Sequence, residues 1–308
     1  MPLMVDFRDS YSAAGKIGGG RFRKREGRPS DEAVLYSRLT DRALRPLFPK
    51  GMVNDVIITI TPLAIDGTQD LGAMCLIGSS VALQLAGIPF DGPVGACRVA
   101  FVDNQYVINP TFDQLAVATM NLMVAGPQDL VNMIEADGRE APAEIVEKAW
   151  DIAMEHINQT IQWQKEFVAG IDIHSKANKI VKNYPSDDLI AWVRTVLTDE
   201  KLSGIHRHSK EDFGELYAEY ESQVMDAALD YIADDTKLDF SHSTVKQAVF
   251  HVFKYFIRSR TIHDGVRVDG RDVMTIRPLY CEVDTVPLVH GSGLFWRGDT
   301  QVHSTVTL

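Results

Sequence analysis

Twenty consecutive residues, Leu71 to Phe90, carry no charged side chain. That is the length of a membrane span, so the segment belongs either in lipid or inside a folded domain. Ser79, Ser80, Gln84, three glycines and Pro89 interrupt it. Small, mildly polar residues of this kind suit a helix packed closely within a domain, so a buried helix is expected and no membrane is a partner. The chain can enclose it. It has 308 residues, 45% of them hydrophobic and 24% charged, enough for about two domains of ordinary soluble composition. Cys75, Cys97 and Cys281 are odd in number and far apart. They suggest neither a disulfide framework nor a paired metal motif, and a reducing cytoplasm fits best. The first residues have no basic flank before an apolar run, so no signal peptide is expected.

The strand and helix signals change character along the chain. Leu3–Phe7 reads as the end of a strand. Ser30 caps a helix running to about Leu44 and stopping before Pro46, with Asp31 and Glu32 placed against its dipole. Val56–Ile60 is a β-branched run typical of a buried strand. Val94–Ile108 reads as a hairpin turning at Asp103-Asn104, and short strands are expected at Leu122–Ala125 and Val131–Glu135. A long helix is expected from Ala141 to Val168, with Ile145, Ala149, Ile152 and Ile157 on one face. Ile171–Tyr184 is a looser connection. From Ser186 to about Ile262 the period stays helical, with 14 acids and 9 bases. Turn chemistry returns at Arg267–Arg271, followed by strands at Cys281–Asp284, Gly293–Trp296 and Gln301–Leu308. In the last, Val302, Val306 and Leu308 share a face opposite Gln301, His303 and Thr305. The chain stops inside that strand and starts in another, and truncation at both ends is the expectation.

The net charge of −11 hides an asymmetry: residues 1–50 hold 11 Lys/Arg against 6 Asp/Glu. A local basic surface on an acidic body focuses a polyanion onto one path. Lys16, Arg21, Arg23, Lys24, Arg25 and Arg28 fall within 13 residues, opposed only by Glu26, with Phe22 among them. Arg38, Arg42 and Arg45 follow at i, i+4, i+7, on one helical face. Guanidinium forks grip phosphates, and an aromatic ring lets a base stack without its sequence being read. The combination suits a single strand passed along a channel. Two blander readings stand beside it. The arginines pair with Asp31, Glu32 and Asp41, or the helix start holds free phosphate. No Walker lysine pattern follows Gly18-Gly19-Gly20. Asp66, Asp70 and Asp299 have no metal-ligand spacing. His206 and His208 lack a second ligand pair, and His290 beside Gly291-Ser292 reads as a turn rather than as part of a nucleophile pair.

Several segments together resemble the polynucleotide phosphorylase family. They are Ala14–Gly20, Arg25–Ser30, Arg38–Arg42, Arg45–Pro49, Ala86–Gly95 and Ile108–Thr111, then Val268–Arg271, Ile276–Leu279, His290–Phe295 and Arg297–Gln301. Their order and spacing match along essentially the whole chain. The resemblance implies an α+β fold with a ribonuclease PH-like core (ribosomal protein S5 domain 2-like) at 1–140, lacking its N-terminal strands. A helix and connection at 141–184, an all-helical insert domain at 185–262 and the truncated start of a second ribonuclease PH-like core at 263–308 follow. It implies 3′-to-5′ phosphorolytic degradation of single-stranded RNA in mRNA turnover, releasing nucleoside diphosphates, with untemplated polymerisation in reverse. Inorganic phosphate is the co-substrate and Mg2+ is required. A cytoplasmic homotrimer with a central RNA channel, and partners in an RNA degradosome, are implied too. Residue by residue, Phe22, Lys24, Arg25 and Arg28 match the family's channel loop, and Arg38, Arg42 and Arg45 its adjoining helix. Arg23 stands where an aromatic is common, which leaves stacking to Phe22. Arg271 matches a family position tied to activity. The paired aspartates, lysine and serines of catalysis, and the KH and S1 domains, are expected beyond Leu308, which leaves this chain alone inactive. The alternatives are a non-catalytic, RNA-threading ring subunit of the same fold and an assembly piece with a solvated basic face.

Overall fold

The computed structural model describes residues 3–17, 28–171, 181, 183–203, 210–232 and 241–308, with side chains in 210–232 described for 214–228. The chain divides into two compact units, Met1–Asn183 and Tyr184–Leu308.

In the first unit, β1 (Leu3–Phe7) pairs in parallel with β2 (Val56–Ile60), from Leu3 against Val56 to Phe7 against Ile60. A parallel pair needs a crossover, and α1 (Asp31–Leu44) lies within it. Ser30 Oγ accepts a hydrogen bond from the Ala33 amide at 3.1 Å, a cap worth about 1 kcal/mol. Pro46, without an amide proton, closes the helix in a 3-10 turn at Arg45–Leu47. The uncharged segment forms α2 (Gly72–Leu85), with Leu76, Ser79, Ser80 and Leu83 buried. Its polar atoms are satisfied internally. Ser80 Oγ donates to Gln164 Oε1 at 2.8 Å and accepts from the Val94 amide at 2.9 Å, while Gln164 Nε2 donates to the Val94 carbonyl at 2.8 Å. No helix among the described residues is long and apolar enough to cross a membrane.

A four-stranded antiparallel sheet follows. It is built from β3 (Gly95–Val102), β4 (Gln105–Ile108), β5 (Met120–Gly126) and β6 (Met133–Gly138) in the order β4-β3-β5-β6. Asp103 and Asn104 both take left-handed φ, 48° and 61°, as a two-residue hairpin with matching twist requires. A short helix not expected from the sequence, α3 (Phe112–Val117), starts at a reciprocal capping box between Thr111 and Gln114. The strand expected at Val131–Glu135 begins instead at Met133 and runs to Gly138. The turn before it consumes the earlier residues. Gly126 lies so close to Leu130 and Val131 that a Cβ there would overlap the Leu130 carbonyl.

Both faces of β3 and β5 are covered. Ala96, Met123 and Ala125 face the core that includes Leu39, Leu44, Leu76 and Leu83 of α1 and α2. Cys97, Val99, Leu122 and Val124 face α4 (Ala143–Ala169) through its stripe Ala149, Ala153, Ile157 and Ile161. The helix of the expected helix-and-connection segment at 141–184 lies within the first unit, and its apolar stripe buries one side of the sheet. Cys75 and Cys97 lie in this interior, and burial pushes both thiols up to about 12. Cys281 is exposed. At pH 8 a thiol reagent is expected to modify Cys281 within minutes and the other two only on unfolding. Prompt titration of all three thiols in the native protein would contradict this burial.

The second unit begins with α5 (Asp187–Val196), α6 (Asp199–Leu202), α7 (Lys210–Ile232) and α8 (His242–His263). They pack around Leu189, Val193, Leu202, Val224, Val249 and Phe253. A meander of β7 (Leu279–Val283), β8 (Gly291–Arg297) and β9 (Thr300–Val306) follows. Its register places Leu279, Cys281, Val283, Phe295, Val302 and Val306 on one face, and Tyr280, Glu282, Trp296, Gln301, His303 and Thr305 on the other. Ser292 Oγ accepts from the Val286 amide at 3.0 Å and His290 Nδ1 from the Leu308 amide at 2.8 Å. Both side chains therefore fasten the meander's ends. His206 and His208 lie outside the described residues.

Candidate nucleic-acid interface

Phe22, Arg23, Lys24 and Arg25 lie outside the described residues, as does Arg21. The described part of the basic constellation divides into two kinds of cation. Lys16, Arg28 and Arg38 are exposed and have no ion pair among the described residues. Arg42 and Arg45 have partners. Arg42 Nη1 donates to Glu135 Oε1 at 2.7 Å, and its Nη2 reaches the Ile134 carbonyl at 3.4 Å. Arg45 donates twice to Asp41, at 2.9 and 2.5 Å, and once to the Leu3 carbonyl at 2.9 Å. That hydrogen-bonded carboxylate holds the Arg45 pKa above its ordinary value. The one-face spacing therefore does not yield three equivalent phosphate grips. Both paired guanidiniums remain about half exposed, where an ion pair contributes little net stability and a polyanion competes for it.

Beside this surface a polar cluster lies between the helices and the sheet, on the face of β3 and β5 that carries Arg98 and Asn121. Arg98 lies 3.2 Å from Asp70 Oδ2 and donates to Asn121 Oδ1 at 3.2 Å. Tyr36 donates its hydroxyl proton to Asp70 Oδ1 at 3.1 Å, and the Gly72 amide donates to Oδ2 at 3.0 Å. Burial and the Asp70 charge raise the Tyr36 phenol well above its usual range. Sequence reading missed this cluster, and nothing in the spacing of residues 36, 70, 98 and 121 marks it.

The acids Asp66, Asp70 and Asp299 do not assemble a cation site. Asp70 is engaged by Arg98. Asp66 turns back to the Thr68 amide at 2.9 Å, and Asp299 lies in the turn between β8 and β9. Among the described residues no three His, Cys, Asp or Glu side chains form a metal-ligand group.

Arg271 is locked within its own turn. Its Nε and Nη2 donate to Asp269 Oδ2 at 2.9 and 2.8 Å, and its Nη1 donates to the Thr275 carbonyl at 2.5 Å. The hydrogen bond from Arg271 holds the Asp269 carboxyl below its ordinary value. With the folded value depressed, the pair's contribution is present above about pH 4, the unfolded carboxylate value, and is lost as the pH falls through the folded one. An NMR pH titration is expected to place the Asp269 midpoint below that of a free aspartate and to return it toward that value in Arg271→Gln. An unshifted midpoint in the native protein would rule the lock out.

The sequence model described as "3' exoribonuclease family, domain 1" matches residues 1–89, and that of "3' exoribonuclease family, domain 2" matches residues 92–156. The second match ends within α4, consistent with that helix belonging to the first unit. Three proteins named polyribonucleotide nucleotidyltransferase are similar to the chain over its whole length. The Bacillus subtilis protein is 39% identical over 308 residues, that of Xanthobacter autotrophicus 38% over 310, and that of a Sulfurihydrogenibium species 36% over 312. The chain spans 43%, 41% and 42% of their respective lengths. It belongs to the 3′ exoribonuclease family, with that family's domains 1 and 2 in tandem in its first unit and similarity to polyribonucleotide nucleotidyltransferases along the whole of it.

Proposed function

We propose that this chain serves the 3′-to-5′ phosphorolytic degradation of single-stranded RNA, as the part of a polyribonucleotide nucleotidyltransferase that grips the strand. The supporting observation is the whole-chain similarity to proteins of that name, joined to a basic surface that keeps Arg28 and Arg38 exposed and without an ion pair among the described residues. The loop residues Phe22, Arg23, Lys24 and Arg25, with Arg28, Arg38, Arg42 and Arg45, are the proposed RNA-binding set. On this reading phosphate is the nucleophile that releases nucleoside diphosphates, and the reaction runs backwards as untemplated polymerisation. Mg2+ would stabilise charge building on the attacked phosphate, and on this reading its ligands belong to the rest of the whole protein, of which this chain spans 41–43%. The helices α5–α8 are then the insert domain, and the meander β7–β9 is the opening of a second ribonuclease PH-like core. A homotrimeric, cytoplasmic enzyme of mRNA turnover, with partners in an RNA degradosome, completes the reading. Similarity that continues through the second unit weighs against a single-core, non-catalytic ring subunit.

The test combines binding and chemistry. The chain is incubated with labelled poly(A), inorganic phosphate and magnesium. It is expected to retain RNA on a filter and to release no nucleoside diphosphate. Failure to retain any single-stranded RNA defeats the gripping role. Release of nucleoside diphosphate defeats the placement of catalysis elsewhere.

A further inference from the structure

A cavity of about 550 Å3 opens between the end of β1, the 3-10 turn at Tyr11–Ala14 and the start of α1. Its volume lies in the range that encloses a small ligand. Buried Phe7 and half-buried Ile65 line its apolar side, and the half-exposed ring of Tyr11 stands at its edge. The polar wall is unevenly engaged. Asp9 Oδ2 accepts from both the amide and the hydroxyl of Ser30, at 3.2 and 2.7 Å. Asp6 accepts from Arg8 Nε at 2.8 Å. The acids of the cavity are thus satisfied within it, while Lys16 and Arg28 line it with no ion pair among the described residues. In sequence those two cations bracket the proposed RNA-binding loop.

A planar aromatic edge, an apolar floor and two cations without such a pair form a recognition set for a ring carrying a negative charge, which is the chemistry of a nucleotide. We propose that this cavity is a mononucleotide subsite, in which a nucleobase stacks on Tyr11 while Lys16 and Arg28 hold its phosphate. The subsite rests on the RNA-gripping reading. It adds to that reading a fixed point beside the loop where one nucleotide is seated whatever its base. The same chemistry suits a nucleotide within a strand and a free nucleoside diphosphate, and the two are separable by experiment.

Calorimetry with ADP, inorganic phosphate and a short oligo(A) is run on the intact chain, on Tyr11→Leu, on Tyr11→Phe and on Lys16→Gln/Arg28→Gln. Loss of stacking and of charge are each expected to weaken ADP binding about tenfold, with Tyr11→Phe close to wild type. Phosphate alone is expected to respond to the cation pair but not to Tyr11→Leu. Oligo(A) that displaces ADP places the strand in the cavity; oligo(A) that binds without displacing it assigns the cavity to the free nucleotide. Both results support a nucleotide site. Equal ADP affinity in wild type, Tyr11→Leu and the double variant overturns the proposal, and so does the absence of ADP binding at millimolar concentration. If RNA still binds in that case, the gripping reading survives without the subsite. ADP binding that depends on Tyr11 and Lys16/Arg28, with no RNA binding at all, keeps the subsite and removes the gripping reading.

Discussion

Replacing Arg28 and Arg38 together by alanine is expected to weaken single-stranded RNA binding more than replacing Arg42 and Arg45 together, although each pair removes the same charge. The reason is the partners. Arg42 and Arg45 spend part of their hydrogen-bonding capacity on Glu135, Asp41 and the Leu3 carbonyl, so a phosphate must compete for them. Arg28 and Arg38 have no such competitor among the described residues. Removing one phosphate-holding cation lowers the log–log salt slope by about 0.7 for a single strand. Removing two fully available cations should reduce low-salt affinity by about tenfold or more, and removing two half-engaged ones by about threefold. The reduction should be similar for unrelated RNA sequences, because charge reads backbone and not bases. Glu135→Gln is the converse. Releasing Arg42 should tighten binding by about twofold, consistent with the small net value of exposed ion pairs. Equal effects from the two arginine pairs, measured by fluorescence anisotropy, would mean that the ion pairs have no bearing on RNA.

The second large effect is structural. Ile157 is fully buried on α4, and it packs against the sheet where Gly95 begins β3. A Cβ on Gly95 would come within 2.7 Å of the Ile157 carbonyl oxygen and 3.1 Å of its Cα. The neighbour is helix backbone, which cannot rotate away as a side chain does. Gly95→Ala therefore forces α4 off the sheet and is expected to cost about 2 kcal/mol or more. Ile157→Ala leaves a void in the same layer and is expected to cost about 3 kcal/mol. In native-state hydrogen exchange the slowest amides of β3 and β5 should exchange roughly a hundredfold faster in Ile157→Ala. Acceleration of less than about fivefold would mean that α4 lies on the sheet without stabilising it.

Local chemistry is legible in the sequence, and distant contacts are not. The Ser30 cap, the Asp103-Asn104 turn and the β-branched run at Val56–Ile60 each determine their element within a few residues, and each stands where expected. The α3 capping box is equally local, with Thr111 and Gln114 at the required spacing, but it starts a helix of only six residues, too short to show a period. β6 starts later than the propensity of Val131 suggests because the close approach of Leu130 and Val131 to Gly126 is set by tertiary packing. The site divides in the same way. The Asp41–Arg45 pair is an i, i+4 contact that the sequence offers openly. The Arg42–Glu135 pair joins residues 93 apart, and the Asp70–Arg98 contact depends on α2 lying over β3. No period or motif announces either, so three arginines at helical spacing read as equivalent when they are not.

A basic surface that holds RNA by its phosphates is the central claim. Its most direct test is the affinity of the intact chain for two unrelated single-stranded RNAs across a range of salt. The expected result is a straight log–log dependence, steep enough to imply several phosphate contacts and the same for both sequences, with affinity falling by at least about tenfold between roughly 50 and 200 mM. A flat dependence, or tight binding of one sequence and not the other, would contradict it.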